Sequence, residues 1–326
     1  MTEKIGIVYW CFGAGHSSRI IPLAKEFESR GLDVAVVGGG AGKRFVEMNG
    51  FEQPGLAEIS VDTDSYLRMA KDMVFDALPS TIKRIRDINS WTMREKPDKL
   101  VTDDPLAVFV AAFRGIEVYR VEHLEPSILG PFWGASLKAW NCLFSSIGGE
   151  KVVVTCLWPD EDTGSKLVER VGPLAQEGDG DEEAVEPYNV LMSPGTFGGD
   201  FQEIREKLED KGLSVRTVGD DSWETKKTMA PYTEAADCMI CAGFSSIADA
   251  VVPGTPTVIY PFIPGQVAIA GKVDEENIKG IKTGYSVDEV VEKAVKFVEE
   301  KDTMPEFKNG ASKFADIVLD KERDSE

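Results

Sequence analysis

Two glycine-rich turns, each directly after a short apolar run, constrain most strongly what this chain can fold into. The first follows the apolar run Ile5–Trp10 and reads Cys-Phe-Gly-Ala-Gly-His-Ser-Ser-Arg over residues 11–19. The second follows Cys238–Ile240 and reads Cys-Ala-Gly-Phe-Ser-Ser-Ile-Ala-Asp over residues 241–249. A buried strand that ends in a glycine turn and opens a helix lets the backbone approach a ligand closely, and it aims free helix N–H groups at negative charge. We therefore expect two domains of the nucleotide-binding type that face one cleft.

Apolar strand-like runs alternate with amphipathic helical runs along both halves of the chain, a pattern typical of parallel βαβ units. In the first half it predicts a helix over about residues 17–30 and strands at Ile5–Trp10, Leu32–Val37, Leu100–Thr102, Val118–Val121 and Val152–Cys156. In the second half it predicts strands at Asn189–Ser193, Leu213–Val218, Cys238–Ile240 and Thr257–Tyr260, and helices over about residues 201–211, 245–251, 287–300 and 308–319. The predicted fold class is α/β, with two doubly wound, Rossmann-like domains facing a central cleft.

Length and one acidic segment predict where the two domains divide. The chain has 326 residues, roughly twice the length of a typical domain. Residues 175–187 are rich in acidic side chains and glycine and lie between prolines, which is typical of a linker. We therefore expect an N-terminal domain over residues 1–174 and a C-terminal domain over residues 188–326.

Composition excludes several classes of partner. The formal net charge of −20 argues against nucleic acid as a main partner, because binding a phosphate backbone needs a basic face. The sequence shows neither a secretory signal nor a run of about 18 apolar residues, so we expect a cytoplasmic protein. Five cysteines without a recognisable framework argue against a disulfide scaffold. Cys238 and Cys241 form a C-x-x-C, but their apolar surroundings favour a core strand over a redox or metal pair.

The first turn contains His16, and a neutral imidazole is the side chain best suited to accept a proton near pH 7. Asp103 and Asp104 end a later strand of the same predicted sheet. Because the carboxyl ends of parallel strands meet along one edge, either carboxylate could orient His16 and stabilise its charged form. The alternative is that His16 bonds only to backbone and that the two aspartates cap the helix after Pro105.

Segments after the strands of the second domain suit a diphosphate and a sugar. Gly243, Ser245 and Ser246 begin a helix, where hydroxyl and backbone N–H groups can bind phosphate oxygens. Asp249 follows one turn later and could accept hydrogen bonds from ribose hydroxyls. Alternatively, Ser245 is only a helix cap and Asp249 a solvated charge. Loops after two other strands supply the remaining candidates, Gly195, Thr196, Gly198 and Gln266.

Residues 132–147 predict an amphipathic helix with an aromatic face. Helical spacing on one side relates Trp133, Leu137, Trp140, Phe144 and Ile147. This face either packs in the core of the first domain or makes peripheral contact with a bilayer or a lipid-linked substrate. Lys138 is the one basic residue of the segment.

These residues resemble the GT-B glycosyltransferases, and most of all the branch of the peptidoglycan GlcNAc transferase MurG and its archaeal relatives. The segment Gly13–Arg19 resembles the family's Gly-x-Gly-His turn near the acceptor, and Lys96–Asp103 resembles its Pro-Asp-hydrophobic-Asp strand. Residues 236–249 and 254–261 resemble its donor signature. The resemblance implies that the first domain binds the acceptor, with Gly13, Gly15, Arg19 and His123 as candidate residues, and that the second binds a nucleotide sugar.

The implied reaction is transfer of a sugar, most often from a UDP-sugar such as UDP-GlcNAc, to an acceptor hydroxyl. A lipid-linked acceptor is among the candidates. Transfer would be inverting, with His16 as base, and would need neither a metal nor a cofactor. Four positions depart from the family pattern, which more often has His or Arg, Gly, Glu and Asn where this chain has Cys241, Ala242, Asp249 and Ile269. Two alternatives therefore stay open: a non-catalytic binding or partner subunit with this fold, and a nucleotide-sugar epimerase.

Overall fold

The computed structural model describes residues 2–11, 13–51, 55–59, 78–148, 151–161, 163, 165, 167–178, 184–195, 200–221, 223–300 and 303–319. Two parallel β-sheets organise these residues into two lobes. The predicted alternation of strands and helices is confirmed in both halves, and with it the α/β fold class.

The first lobe contains a six-stranded, all-parallel sheet in the order β2-β1-β3-β4-β5-β6. Its strands are β1 (Lys4–Val8), β2 (Asp33–Val37), β3 (Lys99–Thr102), β4 (Glu117–Glu122), β5 (Lys151–Thr155) and β6 (Val168–Val171). Its helices are α1 (Gly15–Ser29), α2 (Lys43–Met48), α3 (Leu78–Glu95), α4 (Pro105–Arg114) and α5 (Pro131–Gly148). The strand order reverses between β1 and β3, which is where open sheets of this kind bind ligands.

The second lobe contains a five-stranded parallel sheet in the order β11-β10-β9-β7-β8. Its strands are β7 (Tyr188–Ser193), β8 (Val215–Thr217), β9 (Ala236–Cys241), β10 (Thr257–Ile259) and β11 (Ile281–Thr283). The remaining helices are α6 (Phe201–Asp210), α7 (Ala230–Glu234), α8 (Phe244–Val251), α9 (Pro264–Glu276), α10 (Val287–Glu299) and α11 (Ala311–Val318). The order reverses between β7 and β9, so this lobe also has a switch point.

Local sequence explains where α4 begins and ends. The Asp104 side chain accepts a hydrogen bond from the Leu106 N–H at the helix start, and Pro105 occupies a first-turn position whose missing N–H is tolerated. Gly115 ends the helix with a φ of 68°, in the left-handed region that glycine adopts without strain. These contacts fix the first and last residues of the helix that follows β3.

The Cys238 and Cys241 thiols both lie fully buried in β9. Burial raises the pKa of each thiol, so the thiolate that redox or metal chemistry needs is disfavoured. This supports the core-strand interpretation of the C-x-x-C.

The last helix belongs to the first lobe, which corrects the assignment of all of residues 188–326 to the second. Phe314 and Val318 of α11 join the apolar cluster that surrounds β1 and α1. Arg30, directly after α1, pairs with Asp316 at 2.5 Å. The helix itself was predicted. Its apolar face packs on α1 of the first lobe and not on the second lobe, which directly precedes it in the sequence. A cavity of about 600 Å³ lies beside this crossing, and none of the predicted site residues lines it.

The aromatic helix was predicted with two interpretations, and core packing is wrong for its two tryptophans. Leu137 is partly buried, and the side chains of Phe144 and Ile147 lie outside the described residues. Trp133 and Trp140 are exposed on α5. Gly134 is buried, and a Cβ atom added there would lie 2.5 Å from the Pro126 carbonyl oxygen, so α5 packs closely against the lobe at this point. None of the described helices combines the length and the hydrophobicity that a membrane-spanning segment needs.

Candidate active site

His16 and Asp103 form a hydrogen-bonded pair at the switch point of the first sheet. The His16 Nδ1 and Asp103 Oδ2 atoms are 2.7 Å apart, because α1 starts after β1 and Asp103 ends the adjacent β3. The other Asp103 oxygen accepts the Trp10 N–H at 2.8 Å. The Asp103 side chain is 3% exposed, whereas that of His16 is 25% exposed. The Asp103 carboxylate is thus buried in the lobe, whereas the His16 imidazole is partly exposed to solvent.

The electrostatics of this pair suit a general base. Burial alone would raise the pKa of the Asp103 carboxyl, but the charge and hydrogen bond of His16, the charge of Arg19 and the Trp10 N–H outweigh it and lower the pKa. The ionised Asp103 carboxylate accepts a hydrogen bond from the protonated Nδ1 of His16. The unprotonated Nε2 of His16 is then the atom that can accept a proton. The geometry of the pair is that of the His–Asp half of a catalytic triad, in which the carboxylate orients the imidazole.

Asp104 does not join this pair, although it was expected as a candidate partner of His16. Its Oδ2 atom lies 2.7 Å from the Arg84 Nε, and both side chains are completely buried. Its Oδ1 atom accepts the Leu106 N–H. Both oxygens are therefore used to hold α3 against the start of α4, and Asp104 is a structural residue.

Arg19 and His123, predicted to bind the acceptor, lie in the same neighbourhood as His16. The Arg19 Nη1 is 4.0 Å from Asp103, and the Arg19 Nε is buried without a partner among the described residues. The His123 Nδ1 is likewise buried without one. Burial, and then the charges of Arg19 and His16, hold the pKa of His123 well below 6.5. His123 is therefore neutral at pH 7.

The sequence reasoning missed Glu122, which ends β4 at the same sheet edge. Burial raises the pKa of its carboxyl, against the opposing charges of Arg120 and Arg19. The Arg120 Nε lies 3.5 Å from the Glu122 carboxylate. The position of Glu122 at the end of the strand next to β3 was the signal that could have identified it.

The two glycine turns touch across the lobes. The Ser245 Oγ donates to the Gly15 carbonyl at 2.8 Å. Nearby, His123 of the first lobe stacks on Phe244 of the second, with ring centroids 5.9 Å apart and planes 23° apart. Ser245 was expected to donate to a phosphate, and its hydroxyl instead bonds the opposite turn in this structure. The backbone of Gly13 adopts a φ of 74°, which explains the glycine there.

The start of α8 keeps the features of an anion site. Gly243 precedes the helix in extended backbone and supplies no side-chain cap. The first N–H groups of a helix have no intrahelical acceptor and are therefore available to an anion. Ser246 bonds Ser193 at the end of β7, with 2.9 Å between the hydroxyl oxygens. Gly195 follows with a φ of 72°, while Thr196 and Gly198 lie outside the described residues.

Asp249 and Gln266 complete the predicted donor side. Asp249 has neither a hydrogen bond nor an ion pair with any described residue, and burial raises the pKa of its carboxyl to about 7. The Gln266 Oε1 accepts the N–H groups of Phe262 and Ile263, so the amide caps α9 and leaves its NH₂ for a ligand. Among the described residues, no group of three or more His, Cys, Asp or Glu side chains could hold a metal ion.

No protein-family model and no curated protein matches this chain. Solved structures do match over nearly its full length. The kitacinnamycin glycotransferase has a TM-score of 0.67 at 15% identity, covering 98% of this chain and 99% of that one. The Streptomyces sp. SF2575 glycosyltransferase SsfS6, complexed with thymidine diphosphate, has a TM-score of 0.63 at 15% identity, covering 97% and 99%.

The chain has the GT-B fold. MurG of Acinetobacter baumannii also matches, with a TM-score of 0.58 at 16% identity over 98% of this chain and 99% of that chain. Its similarity does not exceed that of the other two structures, so the MurG branch is not singled out. In the GT-B frame, His16 and Asp103 come from one lobe and α8 from the other, at the switch points of the two sheets.

Proposed function

We propose that this protein is a glycosyltransferase that moves a sugar from a nucleotide-sugar donor to an acceptor hydroxyl. The observation that carries the proposal is the His16–Asp103 pair, set at one switch point beside the start of α8 at the other. A base and an anion site facing each other from opposite lobes are what transfer from a diphosphate leaving group requires.

In the proposed reaction the acceptor hydroxyl lies against the His16 Nε2. The imidazole accepts the hydroxyl proton as the oxygen attacks the anomeric carbon, and Asp103 stabilises the resulting imidazolium. The bond from that carbon to the diphosphate oxygen breaks, and the electron pair leaves with the diphosphate. N–H groups at the start of α8 stabilise the departing charge, so the step needs no metal in principle. A single displacement inverts the anomeric configuration.

The donor is proposed to be a pyrimidine nucleotide sugar. The resemblance to GT-B enzymes favours a UDP-sugar such as UDP-GlcNAc, while SsfS6 is complexed with thymidine diphosphate. Asp249 supports ribose binding, because a half-buried carboxylate without a protein partner is stabilised by donor hydroxyls. Uridine offers two ribose hydroxyls and thymidine one. If Asp249 binds both hydroxyls of uridine, Asp249→Asn should weaken the binding of a UDP-sugar more than that of a TDP-sugar.

A thermal-shift screen of UDP-, GDP- and TDP-sugars identifies the nucleotide, since a ligand that binds only the folded form raises the apparent melting temperature. Transfer from the stabilising donor to a panel of hydroxyl acceptors, lipid-linked ones included, then tests the reaction. Nucleotide binding without transfer to any acceptor would favour a non-catalytic GT-B subunit instead. Conversion of the donor sugar without an acceptor would indicate an epimerase.

A further inference from the structure

The loop between β4 and α5 carries two residues of the first lobe that contact the second. His123 stacks on Phe244 at the start of α8, with ring centroids 5.9 Å apart. A Cβ atom added at Gly265, near the start of α9, would lie 3.2 Å from the Leu124 Cδ1. The loop therefore meets the second lobe at the starts of two of its helices.

Glu125 holds this loop from inside the molecule. Its side chain is 5% exposed. The Oε1 atom accepts the Trp158 Nε1–H at 2.7 Å, and the Oε2 atom accepts the Arg170 Nη2–H at 2.5 Å and the Nε–H at 3.2 Å. Trp158 follows β5 and Arg170 lies on β6, so the loop after β4 is tied to the next two strands of the sheet. We call Glu125, Trp158 and Arg170 the loop anchor. Other positions of this carboxylate are disfavoured, because each would leave buried charge unpaired.

Lys272 of α9 contacts the loop anchor from the second lobe. Its Nζ atom lies 5.9 Å from the centroid of the Trp158 ring and 3.2 Å from the Glu161 Oε1. The Glu161 carbonyl in turn accepts the Arg170 Nη1–H at 2.7 Å. Both partners of Glu125 are thus connected to α9, one through a cation–π contact and the other through Glu161. The loop anchor is therefore held by both lobes.

We propose that Glu125 is a positioning residue that holds His123 against the second lobe and so sets the acceptor side of the candidate active site. Glu125 acts through the loop, because both of its carboxylate oxygens are occupied by Trp158 and Arg170. Only Leu124 separates it from His123 in the chain, so a displaced carboxylate displaces the imidazole. The consequence for acceptor binding rests on the proposed transferase function, whereas the position of His123 does not.

Histidine NMR tests this position directly, because the chain contains two histidines, His16 and His123. The ring current of Phe244 should displace the ring-proton signals of His123, and His16→Ala assigns the two sets of signals. Burial, and then the charges of Arg19 and His16, hold the pKa of His123 well below 6.5. The signals of His123 should therefore not titrate near pH 6.5 in the unsubstituted chain.

Glu125→Gln should disturb the loop anchor, because an amide has one acceptor oxygen and its NH₂ group must face either the Trp158 N–H or the Arg170 guanidinium. We expect the His123 signals to move toward those of a solvent-exposed histidine and its pKa to rise toward 6.5, while the His16 signals hardly change. Trp158→Phe keeps the charged pair and removes one donor. It should fold and move the His123 signals in the same direction by less.

Two variants in the second lobe are the matched controls. Glu209→Gln removes a carboxylate that pairs with Arg205 on α6. Trp223→Phe replaces a tryptophan that packs on Tyr232. Neither should alter the His123 signals.

The proposal is overturned if folded Glu125→Gln leaves the His123 signals in place. It is also overturned if the His16 signals move as far as those of His123, because loss of the loop anchor then loosens the lobe in general. If Glu125→Gln does not fold, the same two outcomes in Trp158→Phe decide.

Steady-state kinetics tests the consequence for the reaction. Glu125→Gln should raise the KM for the acceptor by up to about 10²-fold and change kcat little, because it removes binding that the ground state and the transition state share. An unchanged acceptor KM in a variant with displaced His123 signals overturns the role in acceptor binding. Displaced signals in a chain that transfers no sugar from any donor overturn the transferase alone. Transfer by a chain whose His123 signals do not move in Glu125→Gln overturns the positioning alone.

Discussion

The Ser245 hydroxyl of the second lobe donates to the Gly15 carbonyl of the first, so the two glycine turns are joined by a side chain. A Cβ atom added at Gly15 would lie 3.2 Å from the Ser245 Oγ. The two lobes therefore meet at the point where acceptor and donor are proposed to meet. Because a serine hydroxyl has one proton to donate, Ser245 would have to release the Gly15 carbonyl in order to donate to a phosphate.

Gly15→Ala should disturb this contact more than the local fold. The new methyl group crowds the Ser245 hydroxyl, so we expect the hydrogen bond, of about 0.5–1.5 kcal/mol, to be weakened. Lobe closure should suffer, seen as a higher KM for the donor and a larger radius of gyration in small-angle scattering. Gly271→Ala is the control, because nothing lies within 4 Å of its added Cβ. Equal behaviour of the two variants would contradict a role for the Gly15 contact.

His16→Ala should lower kcat by about 10²–10⁴-fold, the usual contribution of a positioned general base. Asp103→Asn should lower kcat by a similar factor, because an amide cannot accept hydrogen bonds from both the Trp10 N–H and the His16 Nδ1–H, and an NH₂ group facing Nδ1 puts the proton on Nε2. Both effects should appear in kcat rather than in the binding of the nucleotide, which calorimetry measures separately. Full turnover by His16→Ala would remove the histidine from the role of base.

Arg84→Met should destabilise the fold by about 3–5 kcal/mol, because it leaves the Asp104 carboxylate buried without a counter-charge. Adding Asp104→Asn should recover part of that loss, since asparagine keeps the helix cap and carries no charge. Arg86→Met, on the exposed side of the same helix, should change the free energy of unfolding by less than about 0.5 kcal/mol. Urea denaturation of the variants measures all three. Unchanged stability of Arg84→Met would show that the pair contributes nothing.

Asp249 should make the ligand-free protein less stable as pH rises from about 4 to 7. Its pKa is raised by burial from 3.8 to about 7, so in this window the folded state holds a proton that the unfolded state has lost. Asp249→Asn removes this dependence and should be the more stable form at pH 8, by up to about 4 kcal/mol before solvent screening is considered. Urea denaturation at pH 5 and pH 8 provides the comparison, with the exposed Asp221→Asn as control. If the free energies of unfolding of the unsubstituted chain and of Asp249→Asn change with pH in parallel, Asp249 does not have a raised pKa.

The fold was largely predictable because hydrophobic periodicity is a local property. The βαβ alternation identified strands at β1, β2, β7 and β9, and α11 was predicted as a helix. Prediction failed where a local pattern does not specify which part of the molecule a helix packs against. The periodicity of α11 requires an apolar surface but does not say which lobe provides it. The aromatic spacing of α5 predicts a helix but does not reveal that Trp133 and Trp140 are exposed to solvent.

The candidate site divides in the same way. The sequence by itself predicted that His16 and an aspartate follow strands of one sheet and meet at its edge, because parallel strands bring their carboxyl ends to one edge. That the two strands, β1 and β3, are adjacent is seen only in the structure. Only the tertiary structure decided that the partner is Asp103 while Asp104 belongs to Arg84, and that Ser245 reaches Gly15. These contacts join residues far apart in the chain, and a side chain's choice among distant partners depends on distances of a few ångströms that only the packed lobes set.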